Sequence, residues 1–206
     1  TVRIAFSATP FTHGGTDPIQ KYDVKGWMGA PFLIDAAKDG KLSIQDLQER
    51  DILSSCDCVV YTIDAPKLSR YLIYGDAVTQ GIAENNYFHD TVARLAGGLQ
   101  GRTLIIVDRI AHGDRLLDRM PNAIWVRGKD TMKTRRAVIE RLKTDKGDLV
   151  AIATAGIFNT GINVYVHQLI NAAGGKAEHV IVQRFGRGLR KAKDKENLLY
   201  FDFMFR

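Results

Sequence analysis

From Arg102 onward the chain alternates short, almost continuously apolar runs with longer segments in which apolar positions recur every three or four residues. The runs are TLIIV at 103 to 107, AIWV at 123 to 126, DLVAIAT at 148 to 154, HQLINAA at 167 to 173 and NLLYFDF at 197 to 203. Apolar runs of this length predict strands covered on both faces. The helical period is clearest from Thr131 to Lys143. There Met132, Ala137, Val138, Ile139 and Leu142 form a face opposite Lys133, Arg135, Arg136 and Arg141. Strands joined by four crossovers predict an α/β fold, a parallel sheet with helices on both faces, over 102–206.

Residues 1–101 read differently, opening on a strand-like run (RIAF), then a Gly/Thr/Pro-rich turn at 9 to 18 and mixed segments including KGWMGAPFLIDAAKDGKLS. Asp76 to Leu95 predicts an amphipathic helix, with Gly97 and Gly98 as its stop.

Composition narrows the class. The 206 residues, 45% hydrophobic and 25% charged, suit one globular domain with an appendage. The net charge of +6, with a pI near 9.3, suits a polyanionic partner without demanding one. Cys56 and Cys58 lie two apart in the strand-like run CDCVVYTID, facing one side, and read as small buried apolar groups. Two cysteines without clustered histidines predict neither a structural zinc site nor a disulfide-built secreted domain. No run approaches the roughly 18 to 20 apolar residues of a membrane span, and a cytoplasmic setting is expected. The chain opens without methionine directly into TVRIAFSATP, which reads as a cut inside a longer protein.

Three clusters carry candidate chemistry. QRFGRGLR, Gln183 to Arg190, packs three arginines into eight residues. In a helical segment Arg187 and Arg190 share a face, where two planar guanidinium forks can grip phosphate oxygens. Gly186 and Gly188 among them point to a close backbone approach. Taken alone, with KAKDK following, a solvated basic face explains the cluster equally well. ATAGIFNTGINV, Ala153 to Val164, leaves the C-terminal end of an apolar strand, where open α/β sheets bind ligands. An ordinary strand-to-helix turn is the plainer alternative. SATP, Ser7 to Pro10, is by itself common turn chemistry.

In this order and at these separations the clusters resemble superfamily 2 helicases. SAT is similar to motif III, GRTLIIVDRIAHGDRL to motif IV, ATAGIFNTGINV to motif V and QRFGRGLR to motif VI. Within the superfamily, the linker with GWMGAPF, the GINV ending and the GRGLRK ending resemble the phage UvsW-type and XPB-like helicases of recombination and branch migration. The resemblance implies a RecA-like fold. It implies residues 1–10 as the end of a first lobe, 11–101 as an irregular inter-lobe linker and lead-in helix, and 102–206 as the second lobe. Arg187 and Arg190 would be arginine fingers, with Gln183 sensing the γ-phosphate. Gly161 and Asn163 would lie near the nucleotide, and Ser7 and Thr9 would couple hydrolysis to lobe movement. Thr154, Gly128 and Lys129 would meet the strand backbone.

The cofactors so implied are ATP and Mg2+, bound mainly by a first lobe. The partners are that lobe and single-stranded or branched DNA, with no membrane, in the host cytoplasm if the gene is a phage's. Neither a P-loop nor a DExH box occurs in the chain: Gly128-Lys129 and Gly175-Lys176 lack the earlier glycine and the following Ser/Thr. An RNA helicase lobe and a passive nucleic-acid-binding module remain the alternatives. The five histidines, the basic patch Lys129, Lys133, Arg135 and Arg136, and Trp27 and Trp125 read as structural or surface groups before functional ones.

Overall fold

The computed structural model describes residues 44–64, 66–68, 73–158, 165–174, 186, 188–191 and 194–206. Ser7, Thr9, Gly161, Asn163, Gln183 and Arg187 lie outside the described residues.

A short helix α1 (Ile44–Glu49) leads into strand β1 (Ser55–Ile63). Asp51 N–H donates to the Gln48 carbonyl at 3.0 Å, and Ile52 N–H to the Leu47 carbonyl at 2.9 Å. This Schellman closure places Asp51 in the left-handed region, φ 62°, where glycine is more usual. After β1 come α2 (Tyr74–Val78), a π-helical turn (Thr79–Ala83) and α3 (Asn86–Gly97). The single helix expected over 76 to 95 is therefore broken. Asn85 is the reason: its Oδ1 accepts from Phe88 N–H at 3.1 Å while its Nδ2 donates to the Gly81 carbonyl at 3.2 Å. An N-cap in mid-sequence restarts the helix on a new axis. Gly98 closes α3 as expected.

The remaining elements follow the alternation: β2 (Arg102–Val107), α4 (Ile110–Arg119), β3 (Ile124–Val126), α5 (Met132–Thr144), β4 (Leu149–Thr154), α6 (Ala155–Phe158), β5 (Gln168–Asn171) and β6 (Asn197–Phe205). Thr131 caps α5, its Oγ1 accepting from Thr134 N–H at 3.2 Å. All five strands expected beyond Arg102 form, and the strand-like run CDCVVYTID forms a sixth, β1. The sheet order is β1-β6-β5-β2-β4-β3, every pairing parallel. β1 pairs with β6 along its whole length, Ser55 opposite Asn197 through Ile63 opposite Phe205.

Alternation along β2 divides the interior in two. Leu104 and Ile106 join Val138 and Leu142 of α5 on one face; Ile105 and Val107 join Phe88, Val92 and Ala96 of α3 and Leu116 of α4 on the other. Each such side chain, fully buried, contributes about 1.5–3 kcal/mol. Phe88 stands edge-on to Phe203 and Phe205, centroids 4.8 and 5.0 Å away, which ties α3 to β6. β1 forms one margin of the sheet, and Val59, Val60 and Tyr61 remain exposed there. The cysteines are not the buried pair expected: Cys56 is half-buried, Cys58 is exposed, and their sulfurs lie 3.8 Å apart on the same side of this margin. Burial and the neighbouring Cys58 push the Cys56 thiol up to about 12. Among the described residues no helix is long and apolar enough to cross a membrane.

Candidate functional site

Because the sheet is parallel, the loops leaving all its strands gather at one edge. Val126 pairs with Ala153, so the next residues, Arg127 and Thr154, stand side by side where β3 and β4 end. The loop beyond β3 is held rigidly. Asp130 accepts from Arg127 N–H at 2.6 Å, its own N–H returns to the Arg127 carbonyl at 3.0 Å, and Arg135 of α5 donates to the Gly128 carbonyl. Thr154 is partly exposed, Gly128 and Lys129 are exposed, and a Cβ placed on Gly128 or on Gly156 of α6 would meet nothing within 4 Å among the described residues. The structure thus brings Thr154, Gly128 and Lys129 to one shelf at that edge, and Lys133 and Arg136 of the following helix are exposed cations. Hydroxyl, amide and ammonium donors over open space suit phosphate oxygens.

The arginine cluster ends elsewhere. Gly188 is the last helical residue, and Arg190 makes an antiparallel bridge with Leu53, two residues ahead of β1. Asp57, Leu199, Gln168, Thr103 and Val150 lie at one level across the sheet. Leu53 is four residues below that level on β1's side, and Thr154 is four above it on β4. Roughly 3.3 Å of rise per residue and 4.8 Å per strand spacing put Arg190 and Thr154 on the order of 30 Å apart, at opposite edges. These two described candidates do not share a site.

What surrounds Arg190 escaped the sequence reading. KAKDK reads as a solvated run, yet Lys195 is 1% exposed and donates to the Gly188 and Arg190 carbonyls, the latter at 3.2 Å. Arg102, also 1% exposed, forks onto Asp194 at 2.6 and 2.8 Å. That fork holds the Asp194 carboxyl down at about 2. His167 links the two, its Nδ1 accepting from Arg102 N–H at 3.1 Å and its Nε2 facing the Asp194 carbonyl at 3.1 Å. Burial lowers Lys195 to about 8, with Arg102 acting in the same direction and Cys56 against it. The close approach expected of the glycines is real at Gly188, where a Cβ would lie 2.9 Å from Leu198 Cδ2 and 3.0 Å from Leu169 Cδ2. It is an approach to the protein's own core, and Gly186 faces open space. The only signal in the sequence was the Asp-Lys pair placed just before an apolar strand.

Of the histidines, His89 and His112 are buried, with ring centroids 4.9 Å apart. Trp125 packs on α4 and donates to Asp114 at 2.7 Å. Among the described residues no group of three or more His, Cys, Asp or Glu side chains comes together.

Comparison with known proteins adds the family context. The ATP-dependent DNA helicase UvsW of Enterobacteria phage T4 is 24% identical over 132 residues, 62% of this chain and 26% of that protein. The crystal structure of T4 UvsW superposes with a TM-score of 0.58 at 22% identity, covering 73% of this chain and 33% of the other. The fold shared with these structures is RecA-like. The E. coli DEAD-box protein SrmB, solved bound to regulator of ribonuclease activity A, gives a TM-score of 0.50 at 16% identity over 73% of this chain and 78% of its own. No protein-family model matches the chain. The RecA-like lobe spans about a quarter of the curated relative, 26% of its length.

Proposed function

We propose that this RecA-like lobe is the second motor lobe of an ATP-driven DNA helicase or translocase that works on single-stranded and branched DNA. The observation that carries the reading is the separation of two phosphate-suited surfaces on one rigid sheet. One is the open shelf of Thr154, Gly128 and Lys129, and the other is the turn that presents Arg190. A motor needs both, because hydrolysis at one place must move a strand at another.

In this reading the first lobe supplies the phosphate cradle and the Mg2+ ligands, and bound ATP supplies the phosphoryl group whose transfer to water drives the cycle. The chain's own donors fit phosphate rather than a cation. Arg190 and Arg187 neutralise charge on the transferring group, Gln183 senses the γ-phosphate, and Gly161 and Asn163 serve the nucleotide. Ser7 and Thr9 pass the change to lobe movement. Thr154, Gly128 and Lys129 hold a strand through its backbone, without reading sequence. Likeness to UvsW favours DNA and, more finely, branched intermediates, and a host-cell cytoplasm as the place of action. An RNA track is the second reading.

The test is strand-stimulated ATP hydrolysis by the complete protein carrying Arg190→Ala or Arg187→Ala, on DNA and RNA strands. Arginine fingers are worth about 10³ to 10⁵ in rate, so each variant is expected to lose turnover while ATP binding changes little. Lys143→Ala, an exposed site on α5, is the control. Its ion pair with Glu140, at 3.9 Å, stays within that helix, whereas Lys191 pairs with Asp51 far along the chain. Thr154→Ala is expected to weaken strand affinity and spare basal nucleotide binding. The 206-residue chain alone is expected to show no turnover. Near-normal rates in both arginine variants would refute the assignment.

A further inference from the structure

We infer that Lys195 is a positioning residue for motor chemistry, clamping the carbonyls of Gly188 and Arg190 so that the arginine-bearing turn presents the Arg190 guanidinium in one direction. This rests on the role of Arg190 proposed above.

Three consecutive carbonyls of that turn are held. Lys195 Nζ takes those of Gly188 and Arg190, and Ser54 N–H takes that of Leu189 at 2.8 Å. Leu189 itself is fully buried, and Gly188 lies against Leu198 and Leu169, so the turn is pinned from the core side as well. The carbonyls belong to the end of a helical segment, where unpaired C=O groups carry partial negative charge and a cation is favoured. Helices usually close on a left-handed glycine; here a side chain from beyond the turn closes this one.

The ammonium is an expensive choice for a core position. Burying a charge is unfavourable unless it is well bonded, and the neighbouring carboxylate, Asp194, is committed to Arg102. A methionine would fill the same volume without that penalty. What it could not do is hold two backbone oxygens together. On the outer side Arg190 is exposed, and Lys191 pairs with Asp51 at the closure of α1, which fixes the chain just beyond the arginine. Residues on both sides of Arg190 are thus anchored while its own side chain stays exposed.

Placement of a charged group to within about 1 Å can matter as much as its presence. Misplacement on this scale lowers rates by up to about a hundredfold. In the complete protein, Lys195→Met is expected to reduce kcat of strand-stimulated ATP hydrolysis by about tenfold to a hundredfold, with KM for ATP within about threefold of normal. Val92→Ala, in the core on the opposite face, serves as a destabilised variant that leaves the turn intact. A double-mutant cycle decides the matter. If Lys195 acts through Arg190, Lys195→Met adds nothing in the Arg190→Ala background.

Normal kcat in Lys195→Met, or a loss that multiplies with that of Arg190→Ala, or an equal loss in Val92→Ala, overturns the inference and leaves the role of Arg190 standing. Normal turnover in Arg190→Ala instead removes the reading beneath it. Should Lys195→Met fail to fold, Lys195→Gln keeps two N–H donors without the charge. It is expected to show a smaller kcat loss that likewise vanishes in the Arg190→Ala background.

Discussion

His89 of α3 and His112 of α4 face each other in the interior, 0% and 1% exposed. Neither nitrogen of His89, nor Nε2 of His112, finds a hydrogen-bond partner of good geometry among the described residues. Burial, reinforced by Arg119 and Arg115, holds His89 down at about 4; burial, then His89 and Arg115, holds His112 at about 3. Both pKa values are depressed below the ordinary 6.5, so the folded state requires neutral rings. The stability this contributes is intact above pH 6.5 and is lost as pH falls from there toward 4 and then 3. Urea unfolding at pH 7 and pH 5 checks the prediction. Wild-type stability is expected to fall by on the order of 1 to 3 kcal/mol per pH unit across the acid range, and His112→Leu to flatten that slope. Equal slopes in both would show that His112 does not set the acid limit. The same scale explains what the sequence concealed at Lys195 and Arg102. A charged residue reads as solvated until its partner is known, and the partners here are carbonyls of the preceding turn for Lys195 and a carboxylate 92 residues on for Arg102.

Elements were more legible than residues. β2 and β4 announced themselves because strands buried on both faces carry mostly apolar side chains, and α5 because half its surface faces water. β1 was harder, since a margin strand exposes most positions and mixes Asp57, Thr62 and two cysteines among its valines. The broken helix before β2 depended on one amide side chain, Asn85, which periodicity cannot weigh. Of the candidate site, the shelf at β3 and β4 followed from strand direction alone, while the turn at Arg190 depended on contacts that no spacing reveals. The packing of α4 on β3 provides a prediction at this level. A Cβ on Gly113 would lie 2.8 Å from Trp125 Cε2 and closer still to the outer ring atoms. Alanine at a helix position usually gains up to about 1 kcal/mol over glycine, but overpacking of this kind loses about 1–3 kcal/mol. Gly113→Ala is therefore expected to destabilise the lobe in denaturant titrations. In a Trp125→Leu background the same substitution is expected to be neutral or favourable. A stabilised Gly113→Ala single variant would mean that Trp125 moves aside freely.

At the scale of the molecule, one sheet carries both candidate surfaces, and its order places the strand nearest the start of the described chain beside the strand nearest its end. Ser55 meets Asn197, 142 residues later, and each further pair along β1 spans the same interval. As the chain leaves the ribosome, β2, β4 and β3 can begin to associate while β1 waits without a neighbour, its valines and Tyr61 uncovered. Pairings across so long a loop form late, because closure entropy is met before any contact repays it. Nascent chains arrested before Asn197 has emerged are expected to be cut by protease between Ser55 and Ile63, and chains arrested well after Arg206 to resist. Through that interval the growing polypeptide depends on chaperones, or on whatever domain was made before it, to shelter an edge that its own last nine-residue strand will finally close.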